Sequence, residues 1–428
     1  MNSLNHLSAT TAARKLATRE ITAEALLADC IERISEREPV VHAWTVLDVD
    51  AAMRRARELD SRPASGLLHG LPIAVKDLFD TFDMPTGYGS PIYAGHRPAS
   101  DAVAVALARE AGAIVVGKTV TTEFATFHPG PTCNPHNALH TPGGSSSGSA
   151  AAVADWMVPL AFGSQTAGSI VRPAAYCGVV GYKPTFGTVS RVGVKTISDT
   201  LDTIGGFARS VSDVALFVAA LTGRRELAID ERSADAPRIG LTTTHEWDHA
   251  EPETVALFED ARTRLRACGA SVRDITLPPL FAGLARAQTV IMVREVAQSL
   301  SHERLAHREA LSAEMIAMIE AGLAVSHEEY DAARSLARKC RAMLPEVFAD
   351  VDVLVAPSTT GEAPPGTAAT GDPLFNRIWT LLHVPCVHVP LARGPRGLPI
   401  GVTVVGNLDC DRTTLLAAAW IHGHLGGV

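Results

Sequence analysis

Two serine-bearing segments and one lysine carry residue types whose spacing could support chemistry. Pro142-Gly-Gly-Ser-Ser-Ser-Gly-Ser149 runs straight into the uncharged stretch Ala150-Ala-Ala-Val-Ala154. A helix starting there directs its free N–H groups and the positive end of its dipole at the serines. Twenty-four residues beyond Ser145 lies Ser169, within Gln165-Thr-Ala-Gly-Ser169-Ile-Val-Arg-Pro173. The small residues before Ser169 leave the N–H groups of Ala167, Gly168 and Ser169 free to converge, as a tetrahedral oxyanion requires. One serine beside glycines is ordinarily a turn residue. Two such segments flanking a single Ala-rich helix point instead to acyl transfer.

The first loop admits other readings. It could be a flexible Gly/Ser connection. Gly143 and Gly148 have phosphate-loop spacing, but Ser149 stands where that motif needs lysine, so a nucleotide-binding module has little support. Gly144-Ser-Ser146-Ser-Gly148 matches the nucleophile elbow literally. That elbow follows an apolar strand, whereas His136-Asn-Ala-Leu-His-Thr-Pro142 precedes it here.

A serine hydroxyl attacks poorly unless a neighbour takes its proton. The chain has 16 His, so a Ser–His–Asp arrangement comes first to mind. No histidine is singled out by context: His128, His136 and His140 lie in a polar loop, and His383 and His388 flank an apolar turn. The loop histidines and Cys133 match no metal-site spacing. His302-Glu303 is followed by His307, which is i,i+5 and not HExxH. No metal is expected. Lys76 is the stronger base. It ends the apolar run Leu71-Pro-Ile-Ala-Val75, an unfavourable place for an ammonium, although a lysine at a strand end is ordinarily a surface residue. Asp77 does not neutralise it, because adjacent strand side chains face opposite ways. Lowering a lysine pKa from ~10.4 to ~7–8 takes about 3–5 kcal/mol of desolvation, within reach of a buried site.

The elements that must hold these groups alternate. The first sixty residues read as helix, with Leu16, Leu26, Leu27, Ile31 and Ile34 near helical spacing. Leu71–Val75 and Ala113–Val116 read as buried strands around a helix over 101–111. From 143 to 206 Gly, Ser and Ala dominate. From about 224 to 350 the chain is charged and helical, with amphipathic helices over 255–268 and 330–344. Residues 351–356 and 400–405 return to strand composition, and 361–371 reads as a long loop. At ~150 residues per domain the length of 428 suggests about three domains. Strands returning near residue 400 argue instead for one sheet gathered from both ends of the chain.

Composition narrows the class. Hydrophobic residues make 46% and charged residues 20%, which excludes a disordered chain. Lys plus Arg number 38 against 46 Asp plus Glu, a net charge of -8 without the basic footprint of a nucleic-acid binder. Seven Cys without a CxxC pair indicate neither a disulfide framework nor a zinc ribbon. The first twenty residues have no apolar core of a secretory signal, and no apolar run reaches membrane-spanning length. A cytoplasmic protein is the expectation, with no membrane or nucleic-acid partner and with room for a homodimer.

Five ordered motifs resemble the amidase signature family. They are Leu71-Pro-Ile-Ala-Val-Lys76-Asp77, Gly143-Gly-Ser145-Ser146, and Thr166-Ala-Gly-Ser169-Ile with Pro173 to Thr185. Thr200-Leu-Asp-Thr-Ile-Gly205 and Gly397-Leu-Pro-Ile-Gly-Val402 complete the set. The resemblance implies an α/β fold of one large domain, with a central mixed, twisted sheet covered by helices on both faces. Within it fall N-terminal helices (about 1–65), a catalytic core (about 66–223), a variable helical region shaping the substrate site (about 224–345) and C-terminal strands with a helix (about 346–428). It implies Lys76 as base, Ser145 as a bridging serine with a cis peptide, and Ser169 as nucleophile. Backbone N–H groups of Thr166, Ala167, Gly168 and Ser169 would hold the oxyanion, and no cofactor is needed.

Where many members have Asp, this chain has Gln165, and where they have Arg it has Val171, with Arg172 one position later. Losing both charges together avoids leaving one buried and unpaired. Ala167 and Ser147 each replace a common glycine. Gln165, Ser146 and Arg172 are expected behind the site, and Gly143, Gly144, Phe124, Phe127 and Trp379 around the substrate. The expected activity is hydrolysis of a linear amide, with a neutral, apolar or aryl acyl group, and carbamates or aryl esters as side substrates. The alternative is the glutaminase subunit of a tRNA-dependent amidotransferase.

Overall fold

The apolar runs read from the sequence become strands of one sheet. The computed structural model describes residues 3–230 and 235–426. Its strands are β1 (Trp44–Leu47), β2 (Pro72–Lys76), β3 (Ile114–Thr119), β4 (Leu160–Gln165), β5 (Val180–Lys183) and β6 (Thr203–Ala208). Then come β7 (Arg238–Leu241), β8 (Ser271–Asp274), β9 (Val353–Pro357), β10 (Cys386–Arg393) and β11 (Pro399–Gly406). They form one 11-stranded sheet in the order β1-β3-β2-β4-β6-β5-β10-β11-β9-β7-β8. The sheet is mixed: β2 runs parallel to β3 and β4, whereas β4, β6, β5, β10 and β11 alternate in direction. The join between β5 and β10 unites the two ends of the chain, as the strand composition near residue 400 predicted.

β2 is buried along its whole length. A strand flanked by parallel neighbours and covered on both faces needs an unbroken apolar run, and Leu71–Val75 supplies one. The Gly/Ser loop leads into a helix, Ser147–Ala154, whose small side chains let it press onto β2, β3 and β4. A Cβ on Gly148 would lie 2.2 Å from the Ala43 carbonyl oxygen and 2.5 Å from Val120 N. A second short helix, Val171–Cys177, follows β4 and stops at Gly178 with φ 69°, a left-handed residue that glycine adopts without a Cβ clash.

Two regions differ from the sequence reading. The first sixty residues are not all helix, because His42 turns left-handed after Ala23–Val41 and Trp44-Thr-Val-Leu47 pairs with the sheet edge. The charged region also contributes β7 and β8, four-residue strands too short to show alternation. Its helices Ala313–Ala324 and His327–Ala342 both pack against Leu284–Ser299. Among the described residues no helix is long and apolar enough to cross a membrane.

Alanine in a helix ordinarily gains up to ~1 kcal/mol over glycine. At Gly148 the backbone contact reverses the sign. Gly148→Ala is expected to destabilise the fold by about 1–3 kcal/mol, read as a lower urea midpoint. An unchanged or raised midpoint would contradict the close packing.

Candidate active site

Lys76 ends β2 with its side chain entirely buried, and its Nζ lies 2.8 Å from Ser145 Oγ and 2.8 Å from Ser164 Oγ. Both contacts are neutral hydroxyls. Burial is the main cause that lowers its pKa from 10.5 to about 7; Asp202 opposes the shift and Arg172 adds to it. Asp77 faces away and pairs with Lys118 Nζ at 3.1 Å, as strand alternation requires. The Gly144–Ser145 peptide bond is cis. Ser146 is tied to the backbone, with its Oγ 3.3 Å from the Ser164 carbonyl oxygen and 3.4 Å from Ser164 N.

Ser169 sits in the turn between β4 and the helix Val171–Cys177. Gln165 organises that turn: its Oε1 accepts from the N–H of Ile170 (2.8 Å) and of Val171 (3.0 Å). Its Nε2 donates to Thr380 Oγ1 at 2.9 Å, and Thr380 donates in turn to the Ala167 carbonyl at 2.7 Å. Gln288 donates to the Thr166 carbonyl at 3.0 Å, and the Thr166 hydroxyl donates to Asp202 at 2.5 Å. The carbonyls are thus held from behind. The N–H groups of Thr166, Ala167, Gly168 and Ser169 find no acceptor among the described residues. The Ser169 hydroxyl likewise has no hydrogen-bond partner among them, and it lines a small cavity of about 20 Å³.

That cavity is walled by Ala125, Thr126, Phe127, Ile197, Met292, Met318 and Pro373, with Thr166, Ala167 and Arg172 beside Ser169. Arg172 is buried, and burial lowers its pKa to about 10, so it stays charged near neutrality. Its Nε and a terminal nitrogen donate to the Gly144 carbonyl at 3.1 and 2.8 Å, and its other terminal nitrogen donates to the Gly371 carbonyl. The charge at 172 therefore clamps the peptide preceding Ser145 to the loop before Pro373.

The sequence pattern of the Amidase family matches residues 25–415. The chain belongs to the Amidase family. Sequence relatives include a glutamyl-tRNA(Gln) amidotransferase subunit from Acidothermus cellulolyticus, 34% identical over 96% of this chain and 93% of its own. Among solved structures, a crystal structure of an amidase superposes with a TM-score of 0.89 at 30% identity, covering 98% of this chain and 100% of that one. The native peptide amidase of Stenotrophomonas maltophilia gives 0.84 at 29%, covering 98% and 97%. The protein is a hydrolase of carbon–nitrogen bonds with the amidase signature fold expected from its motifs.

Within this amidase the remaining expected residues divide. Phe127 lines the cavity, whereas Phe124 and Trp379 do not: both are buried in packing, Phe124 edge-on to Tyr93 and Trp379 inside the helix Leu374–Leu381. Gly143 and Gly144 also lie outside the lining. A Cβ on Gly143 would meet Pro173 Cα at 2.9 Å, and one on Gly144 would meet Thr370 Cγ2 at 2.7 Å, so these glycines allow close packing. The five histidines considered as bases bond elsewhere: His128 to Glu314, His136 to Cys177 O, His140 to Ala363 O, His383 to Thr200 O and His388 to Ser358. Sequence reasoning missed Ser164, Thr380, Gln288 and a role for Asp202. Ser164 was visible as a hydroxyl directly after the apolar start of β4, Leu160-Ala-Phe-Gly163. Asp202 lay inside a quoted motif. Gln288 and Thr380 come from distant helices and carried no local signal.

Three outcomes follow from this geometry. If neutral Lys76 is the base, kcat/KM rises with pH through an apparent pKa near 7. A pH-independent rate from 6 to 8 would contradict it. The folded pKa of Lys76 lies below the unfolded one, so between about 7 and 10.5 the unfolded chain holds a proton that the native protein lacks. Wild-type stability then rises with pH across that window. Lys76→Met should fold, and its stability advantage should be largest at pH 7 and shrink towards 10.5, as urea titrations at several pH values would show. Separately, Gln165→Leu releases two N–H groups and Thr380, and is expected to lower kcat about 10–100-fold with a smaller change in KM.

Proposed function

We propose that this chain is an amidase for small neutral amides, working through an acyl-enzyme on Ser169. The supporting observation is the contact of Lys76 Nζ with Ser145 Oγ at 2.8 Å, made by a lysine whose pKa is about 7, beside a turn of unpaired N–H groups. Neutral Lys76 takes the proton of Ser145, and Ser145 takes that of Ser169. The hydrogen bond between the two serines is formed when substrate is present, since catalytic contacts tighten on binding. Ser169 Oγ attacks the amide carbonyl, and the N–H groups from Thr166 to Ser169 receive the oxyanion. The proton returns through Ser145 to the departing nitrogen, giving ammonia or an amine. Water then releases the carboxylate. Carbamates and aryl esters can follow the same acyl transfer.

The second reading is the glutaminase component of a tRNA-dependent amidotransferase, and the glutamyl-tRNA(Gln) amidotransferase relatives favour it over the free amidase. The cavity favours the free amidase. Its lining holds no carboxylate to pair with the α-ammonium of glutamine, while Phe127, Ile197, Met292 and Met318 suit an apolar acyl group.

The purified chain, without tRNA or partner subunits, is expected to hydrolyse benzamide-type amides faster than glutamine. Ser169→Ala should lose about 10⁴-fold or more in kcat, and Ser145→Ala and Lys76→Ala about 10²–10⁴-fold. Substantial activity in Ser169→Ala would overturn the assignment of the nucleophile. Glutamine hydrolysis with inert aryl amides would install the second reading.

A further inference from the structure

A second cavity, of about 230 Å³, shares no lining residue with the one at Ser169. One wall is the helix His327–Ala342, which presents Arg334, Arg338 and, just at its end, Arg341. The spacings of four and three residues place all three on one helix face, where like charges repel by about 0.2–0.5 kcal/mol per pair. The helix dipole favours Arg341 in the last turn, but it gives no such reason for Arg334, two turns from the helix end. None of the three guanidinium groups forms an ion pair with a described carboxylate. Arg334 lies over the Tyr330 ring, Arg341 donates to His383 Nδ1 at 3.1 Å, and Arg338 has no partner among the described residues.

The facing wall is flat and apolar. The Phe186 ring stacks on His383 with centroids 4.2 Å apart and planes 16° apart and also carries the Arg191 guanidinium 5.0 Å from its centroid, while Ile291 and Leu381 complete the floor. His383 adds no charge: burial and the nearby Arg341 bring its pKa down to about 4. Asp199 is the one carboxylate in the lining, against three guanidinium groups. The pocket is thus cationic at its rim and aromatic at its base.

We propose that this cavity binds a small organic anion with a planar apolar body, an aromatic carboxylate being the class that fits: the Arg334, Arg338 and Arg341 rim takes the carboxylate and the Phe186–His383 stack takes the ring. Paired guanidinium donors suit a planar carboxylate better than a lone lysine would. The volume, slightly below that of drug-sized pockets, admits one ring with its charged group. The site lies behind the nucleophile turn. Thr200 in its lining precedes Asp202, and Leu381 follows Thr380, the residues that hold Thr166, Gln165 and Ala167.

Isothermal titration of the full chain with sodium benzoate tests the proposal. Saturable binding is expected, weakened severalfold by about 0.5 M NaCl. Arg338→Ala, at an exposed helix position, should weaken it about tenfold while leaving amide hydrolysis unchanged. Phenol, with the ring but no full charge, should bind at least tenfold more weakly. Lack of binding up to about 20 mM benzoate, equal affinity in Arg338→Ala, or phenol binding as well as benzoate would each overturn it. A folded Arg334→Ala/Arg338→Ala protein, checked by circular dichroism, that still binds benzoate would place any binding elsewhere.

Discussion

Everything around the candidate site depends on holding one ammonium group out of water with no carboxylate in contact. The contrast with Lys118 shows how specific that condition is. Both lysines are buried, on neighbouring parallel strands, yet Lys118 meets Asp77 at 3.1 Å together with the Phe79 carbonyl and Thr86. Lys118 has a counter-ion and behaves as part of the framework. Among the described residues, Lys76 Nζ hydrogen-bonds only to Ser145 and Ser164. The nearest influential carboxyl, Asp202, is engaged by Thr166, Ile197 and Ser198 and is itself pushed up to about 6 by burial. The small, uncharged residues between 143 and 170 therefore have a physical purpose. They bring elements close enough to exclude water without supplying an anion that would raise the lysine again.

The same condition accounts for the two departures from the family pattern. A carboxylate at 165 would add a negative charge one residue from Ser164, within the low-dielectric surroundings of Lys76. Gln165 accepts from two N–H groups as a carboxylate can, and its amide nitrogen also donates to Thr380. A carboxylate has no such donor. With no anion at 165, an arginine at 171 would lack its partner, and Val171 is apolar. Arg172 instead directs its donors to the carbonyls of Gly144 and Gly371. One guanidinium thereby ties the loop bearing Ser145 to the loop bounding the cavity, and the positive charge lowers the Lys76 pKa further.

How much of this was legible followed from how local each constraint is. The β2 strand and its terminal lysine could be read because a parallel strand buried on both faces writes its whole environment into five consecutive residues. The segments around Ser145 and Ser169 could be read because close backbone approach demands small side chains in sequence. Phe124 and Trp379 show the limit of composition: an aromatic near a site in sequence is usually packing, and these two are buried in it. β1, β7 and β8 were missed because strands of four residues display too little periodicity. Gln288 and Thr380 reach the turn at Ser169 from more than a hundred residues away. Nothing in their own neighbourhood distinguishes them from other polar residues on helices.

That separation between local and distant constraints also divides chemistry from selectivity. Lys76, Ser145 and the turn at Ser169 are carried by the end of β2, the loop before the helix Ser147–Ala154 and the turn after β4, all built on the sheet. The wall opposite them comes from the charged helical region, through Met292 on Leu284–Ser299 and Met318 on Ala313–Ala324. The second helix is fastened to the loop that carries Phe127: Ser312 bonds Glu123, and His128 lies 3.2 Å from Glu314. In this state the cavity has room for little more than a water. An acyl group enters only by displacing side chains, and unbranched, polarizable methionines yield most readily among apolar residues. Changes in these helices can therefore reshape the acyl pocket without touching a residue that sets the Lys76 pKa. The turn at Ser169 is held by Gln165, Thr380 and Asp202, and Gln288 on the wall helix Leu284–Ser299 also bonds the Thr166 carbonyl, so the wall can yield at its methionine side chains while the backbone of that helix stays in place.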